Sequence, residues 1–298
     1  MFSLLFTRSR YHIVHVHWAN QLYGSKWLLK STTRLICNSL LLLFLKHVRR
    51  FGVVWTMHNI YTHDYPHPWL DRLGRQFLMH IAHCTAVQNA HFVKRFQAQF
   101  PNDQIVHIPL TNYVKAHGPR VARSDELAAT LGVQHDDLAL LALGMIRPYK
   151  RYEIIIEAMN AIREARPDLK LIIVGFVGDR QYFAQLQELA ADNPNIKLID
   201  QFVASADIPR YYSVVDYSIC HYDDSMMNSG GVHLALSYGV PVIVPESIVD
   251  DFISPQNAVV FKDQEQLITA LKTLQRCTTP PADIIATMAK REPDLVAQ

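Results

Sequence analysis

The sequence predicts an α/β protein of two doubly wound Rossmann-like domains, and three observations carry that prediction. Short apolar runs recur along the chain, most stretches between them are long enough for a helix, and the residues just after each run are polar. Such runs read as strands buried on both faces, and helix-length crossovers between them build parallel sheets. The first series is Ile13–Val16, Val53–Thr56, Cys84–Val87 and Ile105–Ile108. The second is Leu138–Leu143, Leu171–Val174, Ile196–Ile199, Tyr217–Cys220 and Val240–Val244. The series are separated near His117-Gly-Pro119, which sets the expected domains at 1–118 and 119–298, with a polar segment leading to Gly132.

Composition supports two ordered domains. A chain of 298 residues can bury two cores, and 49% hydrophobic against 19% charged residues is a globular balance. Cys37, Cys84, Cys220 and Cys277 form neither a CxxC pair nor a compact disulfide framework, so a reducing, cytoplasmic setting is expected. Met1–Phe6 is too short for a secretory signal. The longest apolar run, Leu40–Leu45, falls far short of the ~20 residues that span a bilayer.

The net charge of +2 conceals an asymmetry: residues 1–120 hold 14 basic and 3 acidic residues, a net +11, and the remainder carries −9. A basic first domain suits an anionic partner such as a lipid surface, a phosphorylated acceptor or nucleic acid. No zinc-finger spacing, RNA-recognition motif or lysine-arginine run favours nucleic acid. The stretch Ser25–Arg50 reads as a basic amphipathic helix on an anionic membrane or as a buried helix covering the first sheet. The basic first domain favours peripheral attachment at the inner face of the cell membrane.

In open parallel sheets ligands bind beyond the carboxyl ends of the strands. Those positions here hold His17, Trp18 and Asn20; His58 and Asn59; Gln88 and Asn89; Gly144 to Lys150; Gly175; and His221 to Asp224. Two such edges are expected to face each other across a cleft. Arg147 and Lys150 stand in a loop ahead of a helical pattern with apolar Tyr152, Ile155, Ile156, Met159 and Ile162, a place suited to phosphate. In Asn228-Ser-Gly-Gly231, Ser229 is a good N-cap and the glycines admit a ligand to the backbone. Either segment alone reads equally well as ordinary structure. Two anion-ready helix starts in one domain point to a diphosphate.

Histidines raise a metal reading, since 12 of 15 lie in residues 1–120 and His15-Val-His17 places two rings on one strand face. No carboxylate or third histidine has the spacing to complete a site, so no metal is expected and a metal hydrolase is the least favoured reading.

Together these segments resemble the GT-B glycosyltransferases, in the large family that includes bacterial mannosyltransferases and exopolysaccharide sugar transferases. The segment Gly144–Lys150 resembles the family's glycine loop, with Arg147 three residues before Lys150. Ser229-Gly230 followed by Leu-Ala-Leu-Ser-Tyr-Gly-Val-Pro-Val resembles its second phosphate helix, and Val54-Trp-Thr-Met-His58 resembles a first-domain strand ending in a histidine beside the donor sugar. Ile13–Trp18, Cys84–Asn89 and Ile105–Pro109 match recurrent first-domain strands, so the similarity covers roughly 11–265. Two departures stand out. The family's paired glutamates are Met226 and Leu234 here, and the usual opening strand and helix are missing before Tyr11.

The resemblance implies transfer of a hexose from a nucleotide-diphosphate sugar, without cofactor, to a lipid-linked or saccharide acceptor such as a polyprenyl-diphosphate-linked sugar. It implies that Gly144, Arg147, Lys150, Ser229 and Gly230 bind the diphosphate and that Phe202 and Val203 line the base pocket. Asp223, Asp224 and Asn228 then become candidates for holding sugar or ribose. His58 contacts donor sugar or assists proton transfer, with Asp64 and His63 as weaker candidates for a base. Inversion or retention is left open. The shortened first domain keeps an alternative in play, a non-catalytic or decayed sugar-nucleotide-binding fragment.

Overall fold

The computed structural model describes residues 12–62, 65–99, 105–223 and 226–288. They form two compact units, residues 1–109 with 225–228, and residues 110–224 with 229–298. His63, Asp64 and Asp224 lie outside the described residues.

The first unit is a four-stranded parallel sheet of β1 (Ile13–Val16), β2 (Gly52–Met57), β3 (Cys84–Val87) and β4 (Ile105–His107), laid down in sequence order. The crossovers are α1 (Leu28–His47), α2 (Pro68–Ile81) and α3 (Ala90–Gln99). Register aligns Val14 with Val53, and Val16 with Trp55. This face packs against Leu42 and Leu45 of α1, Leu78 of α2 and Phe92 of α3. Right-handed crossovers between sequential neighbours place every helix on one side of the sheet. The opposite face carries Ile13, His15 and Val54. The stretch read from sequence as either a surface helix or a buried one is both: α1 sinks Leu41, Leu42 and Leu45 into the core and exposes Leu29 and Leu40.

Beneath this layer Asp71, buried on α2, joins three segments. Its carboxylate takes hydrogen bonds from the hydroxyls of Tyr23 and Thr62 and from Arg75 Nε, the last at 2.9 Å. Arg75 also donates to the carbonyl and side-chain oxygens of Asn59 at 2.7 and 2.9 Å. Burial alone raises a carboxyl pKa; here the Arg75 charge and the Thr62 and Tyr23 hydroxyls outweigh it and hold Asp71 below its usual value.

The second unit is a six-stranded parallel sheet in the order β10-β9-β8-β5-β6-β7. The strands are β5 (Leu138–Leu143), β6 (Leu169–Gly175), β7 (Ile196–Asp200), β8 (Tyr217–Ile219), β9 (Val242–Pro245) and β10 (Ala258–Phe261). The helices are α4 (Val114–His117), α5 (Asp125–Leu131), α6 (Tyr152–Ile162), α7 (Arg180–Ala190), α8 (Ile208–Tyr212), α9 (Gly230–Ser237), α10 (Gln264–Thr273) and α11 (Pro281–Thr287). Tyr152, Ile155, Ile156, Met159 and Ile162 form the buried stripe of α6, as their spacing predicts. The polar stretch before Gly132 is α5, capped by Ser124 and closed by left-handed Gly132. Residues ahead of the expected boundary pack with this unit: Tyr113 N–H donates to Ser237 Oγ at 3.1 Å, and Tyr238 OH to the Gly118 carbonyl at 2.8 Å.

Removing the Asp71 carboxylate leaves Arg75 buried without its counter-charge. Asp71→Ala should cost about 3–5 kcal/mol, read by urea unfolding. Because its folded pKa lies below the unfolded value, the wild-type contribution is present above the unfolded pKa and fades as pH falls through the folded one. A midpoint unchanged by the substitution would refute this assignment.

Candidate functional site

In the second unit the strand order reverses between β5 and β8, which lie side by side with successive strands added outward on either flank. Loops leaving the carboxyl ends of such a pair diverge and open a crevice. The loop after β5 carries Gly144, Arg147 and Lys150, and the loop after β8 leads through Asp223 to Ser229 and α9. Asp223 N–H donates to the Tyr149 carbonyl at 2.9 Å, and the Tyr149 and Tyr222 rings stack at 6.3 Å, binding one loop to the other.

The first loop has little freedom. Gly144 has φ +122, and a Cβ there would lie 2.9 Å from Lys150 Nζ. A Cβ on Gly175 would lie 1.9 Å from the Gly144 carbonyl oxygen, so both positions exclude a side chain. Ile146 N–H donates to the Phe176 carbonyl, and Gly178 N–H to that of Ile146, carrying the ladder past the end of β5. The Arg147 side chain lies over Gly178, where a Cβ would stand 2.5 Å from its Nε. A 3-10 turn over Pro148–Lys150 and left-handed Arg151 follow before α6 begins.

That arrangement alters the expected use of α6. Its first turn is already satisfied: the Tyr152 N–H donates to Tyr182 OH at 2.8 Å, and Tyr182 OH donates to Glu153 Oε2 at 2.6 Å. Glu153 also receives Arg151 Nε at 2.6 Å. The Tyr182 hydroxyl thus takes up the first N–H of α6, and Lys150 Nζ lies by Gly144 and 5.7 Å from the Tyr152 ring centroid.

The loop after β8 ends in a receptive helix start. Ser229 caps α9, its Oγ accepting from Val232 N–H at 3.2 Å and pairing with Tyr222 OH at 2.6 Å. Gly230 and Gly231 N–H have no hydrogen-bond partner among the described residues. A methyl on Gly231 would lie 3.6 Å from Cys220 Sγ, Ser229 Oγ and Tyr222 OH, so the start of α9 packs closely on the end of β8. Burial without an anionic partner pushes the Lys150 pKa down to about 8, Cys220 working weakly the other way. No described carboxylate pairs with it. A desolvated cation on one loop and an open helix start after the other each suit an anion in electrostatic terms.

The other predicted residues fall elsewhere. Phe202, 76% exposed, and Val203 follow β7, where Gln201 N–H donates to the Gly175 carbonyl. Asn228 belongs to the first unit, with its Nδ2 donating to the Gln88 carbonyl at 3.3 Å. A cavity of about 720 Å³ between α6 and α7 is lined by Glu153, Glu157, Asp179 and Glu188, charges that repel a diphosphate. Sequence reasoning missed Cys220 and gave no role to Tyr149 and Tyr222, which lie in the segments after β5 and β8. Their signal was faint: aromatic residues flanking each loop.

In the first unit, His58 follows β2. Its Nδ1 donates to Gln88 Oε1 at 3.1 Å, leaving Nε2 as the lone-pair nitrogen, and its ring stacks on Trp18 at 4.5 Å. Burial lowers its pKa, opposed by the Gln88 bond and aided by His17 and His15. The His15 and His17 rings lie 4.0 Å apart, and His15 Nε2 shares a hydrogen bond with Thr56 Oγ1 at 2.8 Å. Among the described residues no group of three or more histidine, cysteine or acidic side chains is arranged to hold a metal.

Residues 137–276 match the family model described as "Glycosyl transferases group 1", a span containing both loops. Anabaena HepE in complex with UDP and glucose superimposes with a TM-score of 0.69 at 15% identity, over 95% of this chain and 74% of that one. Sucrose-phosphate synthase of Thermosynechococcus elongatus gives 0.71 at 16%, over 99% and 73%. The chain has the two-domain Rossmann-like fold of the GT-B glycosyltransferases. GDP-mannose:glycolipid 4-beta-D-mannosyltransferase of Xanthomonas campestris pv. campestris is 27% identical over 247 residues. That match takes in 80% of this GT-B chain, which spans 62% of the relative's length.

If Lys150 must be protonated to hold an anion, affinity of this GT-B chain for UDP or GDP should fall above pH 8, approaching tenfold per pH unit. In Lys150→Arg the guanidinium stays charged, and affinity should be flat from pH 7 to 10. Calorimetric titration across that range decides it: a flat wild-type profile removes Lys150 from the site.

Proposed function

We propose that this protein transfers a hexose from a nucleotide-diphosphate sugar to a lipid-linked or saccharide acceptor in polysaccharide or glycolipid synthesis. The observation that carries this reading is the pair of loops at the reversal in sheet order, tied by Asp223 N–H to the Tyr149 carbonyl, one bearing Lys150 and the other leading to the start of α9. Breaking the sugar–phosphate bond leaves negative charge on the departing diphosphate. An ammonium already stripped of water and two fixed N–H dipoles stabilise that charge as it grows, with no reorganisation at the moment of reaction. Arg147, aligned along the same loop, adds a second cation. Bound diphosphate would restore the Lys150 pKa toward its ordinary value, so donor binding itself secures the proton.

His58 is assigned the proton-transfer role through Nε2. Its lowered pKa keeps the imidazole neutral near pH 7, as a base must be, and Gln88 fixes the tautomer. Phe202 and Val203 are assigned to the base and Asp223 to ribose or sugar. The mannosyltransferase relative is named for a glycolipid acceptor, and the UDP and glucose of HepE show a nucleotide and a sugar bound to this fold. The first supports a lipid-linked acceptor and the second a nucleotide-sugar donor; the acceptor is assigned to the polyprenyl-diphosphate-linked kind, used in exopolysaccharide synthesis by a cytoplasmic protein attached peripherally to the inner face of the membrane.

Calorimetry with UDP-, GDP- and ADP-sugars, followed by transfer assays with lipid-linked saccharides, tests the reading. Binding of one donor with transfer is expected, and His58→Ala should lower kcat by about 10²-fold with donor affinity unchanged within about twofold. The acid limb of the wild-type pH–rate profile should lie below the ordinary histidine value of about 6.5. Binding without transfer to any acceptor identifies a sugar-nucleotide-binding fragment instead, and no binding refutes both.

A further inference from the structure

α1 packs its inner face into the first unit through Leu41, Leu42 and Leu45, yet its outward face is also apolar. Leu29, Ile36, Leu40 and Phe44 recur at spacings of seven, four and four, so they form one stripe, with exposures of 82, 54, 62 and 40%. Trp27, 76% exposed, stands at the head of the helix. An ordinary surface helix puts charge on this side; here Thr33, Cys37 and His47 fill the turns between. The helix is long and apolar enough to cross a membrane by length and composition, but burial of its inner face commits that side to protein.

The charges around the stripe are of one sign. Lys26 and Lys30 lie at its start, Arg49 and Arg50 follow its end, and the first acidic residue of the chain is Asp64. We propose that the outward face of α1 docks on an anionic lipid bilayer, with the Leu29–Phe44 stripe seated among the acyl chains and the basic ends held by headgroups. An uninterrupted apolar stripe lying parallel to the unit's surface suits a plane more than a groove, and positive ends suit the negative inner leaflet. This rests on the peripheral attachment proposed above and is independent of sugar transfer.

Sedimentation of the full chain with vesicles tests it. Wild type should bind vesicles of phosphatidylglycerol and phosphatidylcholine, and bind phosphatidylcholine alone at least tenfold more weakly. The double variant Leu29→Glu/Leu40→Glu should bind the mixed vesicles at least tenfold more weakly, with thermal midpoint and calorimetric affinity for UDP or GDP unchanged. Should that variant fail to fold, Lys26→Glu/Lys30→Glu must show the same loss on anionic vesicles. A variant that binds as wild type does overturns the α1 face while leaving peripheral attachment standing, and a wild type that binds no vesicle overturns both. Light scattering that finds a wild-type dimer dissolved by the leucine variant assigns the face to a second copy and overturns the proposal.

Discussion

The backbone hydrogen bond from Asp223 to the Tyr149 carbonyl is the constraint on which the candidate site depends. Parallel strands diverging from a reversal in sheet order send their loops apart, and without a tie Lys150 would be one more solvated lysine. The bond and the tyrosine stack behind it hold the β5 loop against the β8 loop. Gly175 leaves room for the Gly144 carbonyl, and Gly144 for the Lys150 ammonium. Sheet topology, glycine placement and aromatic packing thus converge on one lysine.

Much of the fold was legible because burial on both faces leaves a strong mark. Runs such as Leu138–Leu143 can be little other than central strands, and the stripe on α6 repeats at helical spacing. β10 was not legible: Val259 is half-buried and Val260 exposed, so Ala258–Phe261 carries too little contrast to stand out from its surroundings. The site was legible in part. Lys150 and Ser229 could be picked out as a cation and a cap, but the tie between their loops depends on Tyr149 and Tyr222, whose roles arise only in three dimensions. Arg151 in a left-handed conformation and Glu153 bonded to Tyr182 are likewise tertiary outcomes, and they shift the anion site from α6 to α9.

The charge division between the halves of the chain has a physical counterpart in the two units. The second keeps its acidic residues on surfaces such as the α6–α7 cavity, away from the single desolvated lysine. The first gathers histidines and aromatic rings at the end of its sheet, where Trp18 and His17 stack on His58 and help hold it neutral. The two units use opposite electrostatic means: one holds Lys150 poor in water, the other holds the His58 imidazole poor in protons.

The sequential strand order of the first unit also bears on how the chain becomes folded. Each pairing from β1 to β4 closes a single crossover, so contacts are local in sequence and the sheet can grow by accretion as the chain leaves the ribosome. The second unit cannot proceed this way, because β5 finds its inner neighbour only when β8 has been made, more than 70 residues later. Residues 226–228, which pack with the first unit through Met227 and the Asn59–Met226 bridge, arrive later still. The loops after β5 and β8 therefore come together late, and synthesis interrupted before β8 would yield a chain with a finished first sheet and only one of the two loops.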